Sequence, residues 1–213
     1  MQNQRHPYLR GLYVVTNDDP LLPRLSAMVG AALKGGVTLV QYRNKHAPAP
    51  LRRSQAAEML RICRATGARL IINDDLALAL EIGADGVHLG GEDGDLAAAR
   101  KALGPDRLLG ASCYKDLDRA EAAAKAGADY LAFGSMFPSK TKTAAEAAPL
   151  SVLGEARRFG LPVVAIGGIT LDNAPQVIAA GADMVAVISD LFDTMNISER
   201  AAHYQDLFPT QTH

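Results

Sequence analysis

Apolar residues along this chain fall into eight short runs set between longer amphipathic stretches. The runs are Leu12–Thr16, Thr38–Tyr42, Arg69–Ile72, Gly86–Leu89, Leu108–Ser112, Tyr130–Gly134, Pro162–Ile166 and Met184–Ile188. They are near-continuous, the pattern of strands buried on both faces of a parallel sheet. Helical patterns of roughly 8 to 17 residues separate them, which is an ordinary helix length. A last amphipathic segment, Ser198–Phe208, can supply a closing helix.

One phrase recurs: "GADGVHLG" from position 83, "GADYLAFG" from 127 and "GADMVAVIS" from 181, with "GGVTLVQYR" from 35 as a looser copy. The glycine suits the left-handed residue that ends a helix. Each copy therefore reads as helix, tight turn, buried strand, the repeating unit of a parallel α/β fold. Eight such units predict one α/β domain over residues 1–213, a single (β/α)8 TIM barrel. The alternative is an open doubly wound sheet, which usually has fewer strands and a Gly-rich turn after the first. Here "VVTNDDP" follows the first run, without a glycine.

A TIM barrel carries its chemistry at the carboxyl ends of its strands. Gln41, Arg43 and Lys45 follow the second run, and Asn73, Asp74 and Asp75 the third. His88 and "GGED" follow the fourth, Ser112 ends the fifth, and "FGSMFPSKTKT" follows the sixth. "GGI" follows the seventh, and the eighth ends in Ile188-Ser189. The polar positions thus form a ring.

Gln41, Arg43 and Lys45 share one side if strand geometry continues. An amide and two cations there suit an anionic ligand, although a solvated strand end would look similar. Asp75 stands where an N-cap belongs. A cap does not account for Asn73 and Asp74 beside it. Asp74 with Asp93 on the neighbouring loop is a candidate Mg²⁺ pair, completed by a substrate diphosphate. The stretch from Phe133 to Ala148 is long for a connection of this kind, and Ser139, Thr141 and Lys142 in it can grip an anion. Gly167 and Gly168 permit close backbone approach, and loops after strands 7 and 8 commonly bind phosphate. His88 reads as a hydrogen-bonded structural residue and Cys113 as packing. Two anion sites result, one built from cations and a metal, the other from backbone amides. They suit a diphosphate and a monophosphate bound together.

The charge balance narrows the partners. A formal net charge of -1 gives no footprint for nucleic acid or a membrane surface. No apolar stretch reaches the roughly 18 residues of a membrane-spanning helix, and the amino terminus has no signal-type apolar core. Cys63 and Cys113 show no metal or redox spacing and read as reduced thiols of a cytoplasmic protein. The oligomeric state stays open, a homo-oligomer included.

Taken in order, "VQYRNK", "INDD", "GVHLGGED", "LGAS", "FPSKTK", "AIGGI" and "AVIS" resemble the thiamine-phosphate synthase family over nearly the whole chain. The resemblance implies a condensation of 4-amino-5-hydroxymethyl-2-methylpyrimidine diphosphate with a thiazole phosphate, releasing pyrophosphate, with Mg²⁺ as cofactor. The pyrimidine diphosphate would ionise first, and the thiazole nitrogen would capture the cation. It further implies that Arg43, Lys45, Ser112 and Lys142 hold the diphosphate and carry catalysis. Gln41 and Asn73 lie near the pyrimidine, and Asp74 and Asp93 bind the metal. Ser139, Lys140, Thr141, Gly168, Ile188 and Ser189 bind the thiazole phosphate. Asp75 is support. Departures from the family pattern are Ser135 for a proline, which is expected to free the loop after the sixth run, Ser139 for a threonine, and Gly91 for a glutamine. The runners-up are a thiazole tautomerase on the same barrel and a non-catalytic phosphate-binding barrel.

Overall fold

Eight short strands of mostly Val, Leu, Ile and Ala pair in parallel and in chain order until the last meets the first, a closed barrel. The computed structural model describes residues 6, 8–91, 94–138 and 147–208. The strands are β1 (Gly11–Val15), β2 (Leu39–Tyr42), β3 (Arg69–Asn73), β4 (Gly86–Leu89), β5 (Leu108–Tyr114), β6 (Tyr130–Phe133), β7 (Val163–Ile166) and β8 (Met184–Val187). Each coincides with a predicted apolar run to within two residues at either end. The helices between them are α1 (Leu22–Lys34), α2 (Ala49–Ala65), α3 (Leu76–Ile82), α4 (Leu96–Leu103), α5 (Leu117–Lys125), α6 (Ser151–Ala156) and α7 (Ala174–Ala179). After β8 come α8 (Ser189–Phe192) and α9 (Ile197–Asp206).

Several helices are shorter than the sequence pattern suggested. α3, held between the Asp75 cap and left-handed Gly83, has 7 residues, and α8 has 4. The eighth strand stops at Val187, so Ser189 opens a helical turn instead of ending a strand.

Burial divides the apolar residues into two cores. Outward-facing strand residues such as Val14, Val40, Leu70 and Val185 pack with the helices. Inward-facing residues, among them Tyr13, Leu39, Ile71, Leu108, Tyr130 and Val164, fill the barrel. The filling leaves no slack at Gly110, where a Cβ would stand 2.1 Å from the Tyr130 ring.

The recurring "GAD" has a physical explanation at the amino end of the barrel. Its glycines, Gly83, Gly127 and Gly181, all have positive φ, as expected of residues that end helices. Its aspartates tie strands together. Asp85 Oδ2 accepts from Leu70 N at 2.8 Å, Asp129 Oδ2 from Leu109 N at 2.7 Å and Asp183 Oδ2 from Val163 N at 2.9 Å. Each satisfies a backbone N–H at the start of the preceding strand, beyond the reach of ladder pairing.

Candidate active site

β2 ends at Tyr42, so the alternation that would align Gln41, Arg43 and Lys45 does not continue. Gln41 turns into the barrel, and its Nε2 donates to Tyr13 Oη at 2.8 Å. The two cations part. Arg43 Nη1 pairs with Asp18 Oδ1 at 3.0 Å, on the loop after β1. Lys45 Nζ reaches the other way, to Asp74 Oδ2 at 3.0 Å. Asp18 is a partner that "TNDDP" does not announce, because the pairing depends on β1 and β2 being neighbours.

At the end of β3 the three polar residues take three roles. Asn73 Nδ2 donates to Asp74 Oδ2 at 2.6 Å. Asp74 adopts a left-handed φ of 62°, uncommon for a residue with a side chain, and its N–H is fixed by the His88 carbonyl at 2.8 Å. Asp75 is the helix cap its position suggested, accepting from Leu78 N at 2.9 Å. Asp93 lies outside the described residues. Among those described, no group of three or more His, Cys, Asp or Glu could hold a metal by itself.

His88 is buried and fully engaged, as expected of a structural histidine. Nδ1 lies 3.2 Å from Tyr130 Oη and Nε2 lies 2.9 Å from Ser112 Oγ, with the ring stacked on Tyr130. Burial pulls its pKa down to about 4, against the opposing pull of the Asp74 carboxylate. The ring is therefore neutral near pH 7. Tyr130 Oη in turn lies 2.7 Å from Tyr13 Oη. A chain of hydrogen bonds thus crosses the barrel from Gln41 through Tyr13, Tyr130 and His88 to Ser112. Gln41 can only donate to Tyr13, so every later donor can point the same way. In that arrangement the Ser112 hydroxyl is left to donate into the site. The two interior tyrosines gave no signal in the sequence beyond that of core aromatics. Cys113 is buried and its thiol is pushed up to about 12 by desolvation, in keeping with a packing role. Both cysteines are free.

A cavity of about 690 Å³ opens beside Ser112 and extends to Gly168, Ile188 and Ser189. It brings four predicted site residues, from β5, the turn after β7 and the start of α8, into one space. Lys45, Asn73 and Asp74 form a second group beyond β2 and β3, tied to His88 through Asp74 N, while Gln41 reaches Ser112 through Tyr13, Tyr130 and His88 and Arg43 stands apart with Asp18. Gly168 has a φ of 63°, and its carbonyl accepts from Asn173 Nδ2 at 2.9 Å. The close approach expected of the two glycines is made by the chain itself: a Cβ on Gly168 would stand 2.7 Å from the Phe137 carbonyl oxygen.

Ser135 does not free the start of the loop after β6. Its Oγ donates to the Phe137 carbonyl at 3.1 Å, and its own carbonyl accepts from Ala148 N at 2.7 Å. Met136 N and Phe137 N donate to the carbonyls of Ile166 and Gly167. Of these contacts a proline would forgo only the hydroxyl's bond to the Phe137 carbonyl. Ser139, Lys140, Thr141 and Lys142 lie outside the described residues. A larger groove, about 810 Å³, lies between α2 and α3 on the barrel's outside, where Arg53 pairs with Glu81. It holds none of the strand-end chemistry except the cap Asp75.

Fold and site together define a TIM barrel with a ring of polar residues and a cavity at the carboxyl ends of its strands. Residues 12–191 match the family described as thiamine monophosphate synthase, and the chain belongs to that family. It is 55% identical over 201 residues to a thiamine-phosphate synthase of Aromatoleum aromaticum, covering 94% of this chain and 97% of that protein. A thiamine-phosphate synthase of Methylobacillus flagellatus is 51% identical over 202 residues, covering 95% and 97%. The solved thiamine phosphate pyrophosphorylase from Pyrococcus furiosus superposes with a TM-score of 0.82 at 36% identity, covering 93% of this chain and 95% of that one. The chain is a transferase of thiamine biosynthesis. No helix among the described residues is long and apolar enough to cross a membrane.

Proposed function

We propose that the chain joins the pyrimidine diphosphate to the thiazole phosphate by dissociative loss of pyrophosphate, with Gln41, Arg43, Lys45, Asn73 and Ser112 serving the first substrate and Gly168, Ile188 and Ser189 the second. The observation that carries this reading is the cavity that opens at Ser112, itself hydrogen-bonded to His88, and ends at Gly168 and Ser189. A diphosphate reaching Ser112 from the β2 and β3 side would meet a monophosphate held at Gly168 and Ser189 in this cavity, and orientation of that kind supplies much of a bimolecular rate.

In the reaction the methylene C–O bond of the pyrimidine diphosphate breaks, and the electron pair leaves with pyrophosphate. The thiazole nitrogen then donates its lone pair to the methylene cation. No proton has to move, so no acid–base pair or nucleophile is required. The need is to stabilise charge growing on the leaving group, which fixed cations and oriented hydroxyls do without reorganising. Arg43 is held for this by Asp18, and Ser112 by His88. Lys142 and the Ser139–Thr141 stretch would complete the two anion sites from the loop after β6.

Asp74 fits a hard divalent cation in its chemistry. Its carboxylate already carries a cationic partner, the Lys45 ammonium, and Mg²⁺ is typically held by one or two carboxylates plus substrate phosphate. Asp74 and Asp93 would hold it, and when bound it would neutralise charge on the departing pyrophosphate. The reading also takes the protein as cytoplasmic.

The test is to incubate purified protein with both substrates and Mg²⁺, and with each omitted in turn. Thiamine phosphate should form only in the complete mixture. Isomerisation of a thiazole precursor without condensation would point to a tautomerase, and ligand retention without turnover to a binding barrel; either overturns the reading.

A further inference from the structure

At the carboxyl end of β5 the strand ladder is interrupted. The register against β6 shifts between Ser112 and Tyr114, and Tyr114 takes a left-handed φ of 56°. A bulge re-aims the side chain beside it. A bulky residue in the left-handed region is an outlier that its surroundings must hold in place. Tyr114 Oη accepts from Gly91 N at 3.2 Å, and the Arg119 guanidinium lies over the ring, 5.3 Å from its centroid. Gly91 contributes by lacking a side chain, because a Cβ there would stand 2.1 Å from Arg119 Nη2. The guanidinium fills the place where the family pattern has a glutamine. Tyr114 remains 44% exposed, an uncommon state for a large aromatic in this protein, and it lines the cavity beside Ser112.

We propose that Tyr114 contacts the thiazole phosphate and sets its affinity, and that Arg119 and Gly91 are positioning residues that aim the ring. The inference rests on the function proposed above and deepens it. A phosphate anchored at Gly168 and Ser189 leaves the rest of its molecule reaching along the cavity toward Tyr114. An aromatic wall there suits a flat heteroaromatic ring, met edge-on or offset. The cation on one side of the Tyr114 ring keeps that side occupied and the ring turned to the cavity.

The strained backbone makes the experiment discriminating. Tyr114→Gly removes the ring and also relieves the left-handed φ. The variant should melt above the wild type, yet its KM for thiazole phosphate should rise roughly three- to tenfold, the scale of one aromatic contact. Its KM for the pyrimidine diphosphate should stay within about twofold. Tyr114→Phe keeps the ring and its cation and should bind within about twofold of wild type, while Arg119→Gln should weaken thiazole phosphate about threefold. Calorimetric titration of thiazole phosphate alone should show the same losses. An unchanged thiazole KM in Tyr114→Gly, or both KM values rising together, overturns the inference, as does a lowered melting temperature with unchanged binding. If the wild type makes no thiamine phosphate, the proposed function fails separately, and the calorimetric comparison still decides the role of Tyr114.

Discussion

Lys45 Nζ stands 3.0 Å from Asp74 Oδ2, so a cation expected to hold diphosphate and a carboxylate expected to hold Mg²⁺ are each other's partner across the ends of β2 and β3. Both are partly exposed, so the pair itself is worth little in stability. On the proposed function its consequence would be an exchange: Asp74 would hold the metal, and the Lys45 ammonium would turn to the phosphate oxygens.

The exchange separates two variants. Asp74→Asn should lose turnover by roughly 10²-fold or more while melting close to wild type, because a metal clamp acts on the leaving group. Lys45→Met should raise KM for the pyrimidine diphosphate roughly tenfold or more, the scale of one charged hydrogen bond. In the absence of diphosphate, Lys45→Met should bind Mg²⁺ more tightly than wild type, because its competitor on Asp74 is gone. Calorimetry with Mg²⁺ alone checks this, and unchanged or weaker binding would refute the exchange.

His88 makes stability depend on pH. Its folded pKa, about 4, lies below the ordinary 6.5 because burial disfavours the charged ring. The unfolded chain therefore takes up the proton first as pH falls. The contribution is complete above about pH 6.5 and is lost as pH falls from there toward 4, on the order of 3 kcal/mol in all. His88→Gln should be less stable at neutral pH but show a flatter profile across that window. Urea unfolding at pH 7 and pH 4.5 measures it. Equal pH slopes for both proteins would remove His88 as the source.

The aspartates of the repeated phrase act on the fold and lie far from the chemistry. Asp183→Ala should cost about 1–3 kcal/mol by leaving the Val163 N–H without its acceptor, with kcat nearly unchanged. A variant of full stability and low activity would contradict this.

The barrel was legible because eight apolar runs and a thrice-repeated helix-ending glycine each register locally in the sequence. The Asp75 cap was legible for the same reason, since a cap acts within one turn. What stayed hidden depends on contacts between distant segments. Asp18 reaches Arg43 only because β1 and β2 are neighbours, and Tyr13 meets Tyr130 only because both point into the barrel. The divergence of Arg43 and Lys45 followed from a strand that stopped at Tyr42. The tie at Ser135 was missed because a serine in place of a proline reads as freedom, whereas its hydroxyl and carbonyl are both bonded. The left-handed Tyr114 has no local signature either: nothing in "SCYKD" calls for a positive φ.

The central claim is that two substrates meet in one cavity and that bond breaking at the diphosphate is followed by capture at the thiazole nitrogen. Phosphorus NMR on a single turnover, with Mg²⁺, thiazole phosphate and enzyme in excess over the pyrimidine diphosphate, tests this most directly. One pyrophosphate and one thiamine phosphate should appear together for each diphosphate consumed. Pyrophosphate released without thiamine phosphate, or a diphosphate left intact beside bound thiazole phosphate, would contradict it.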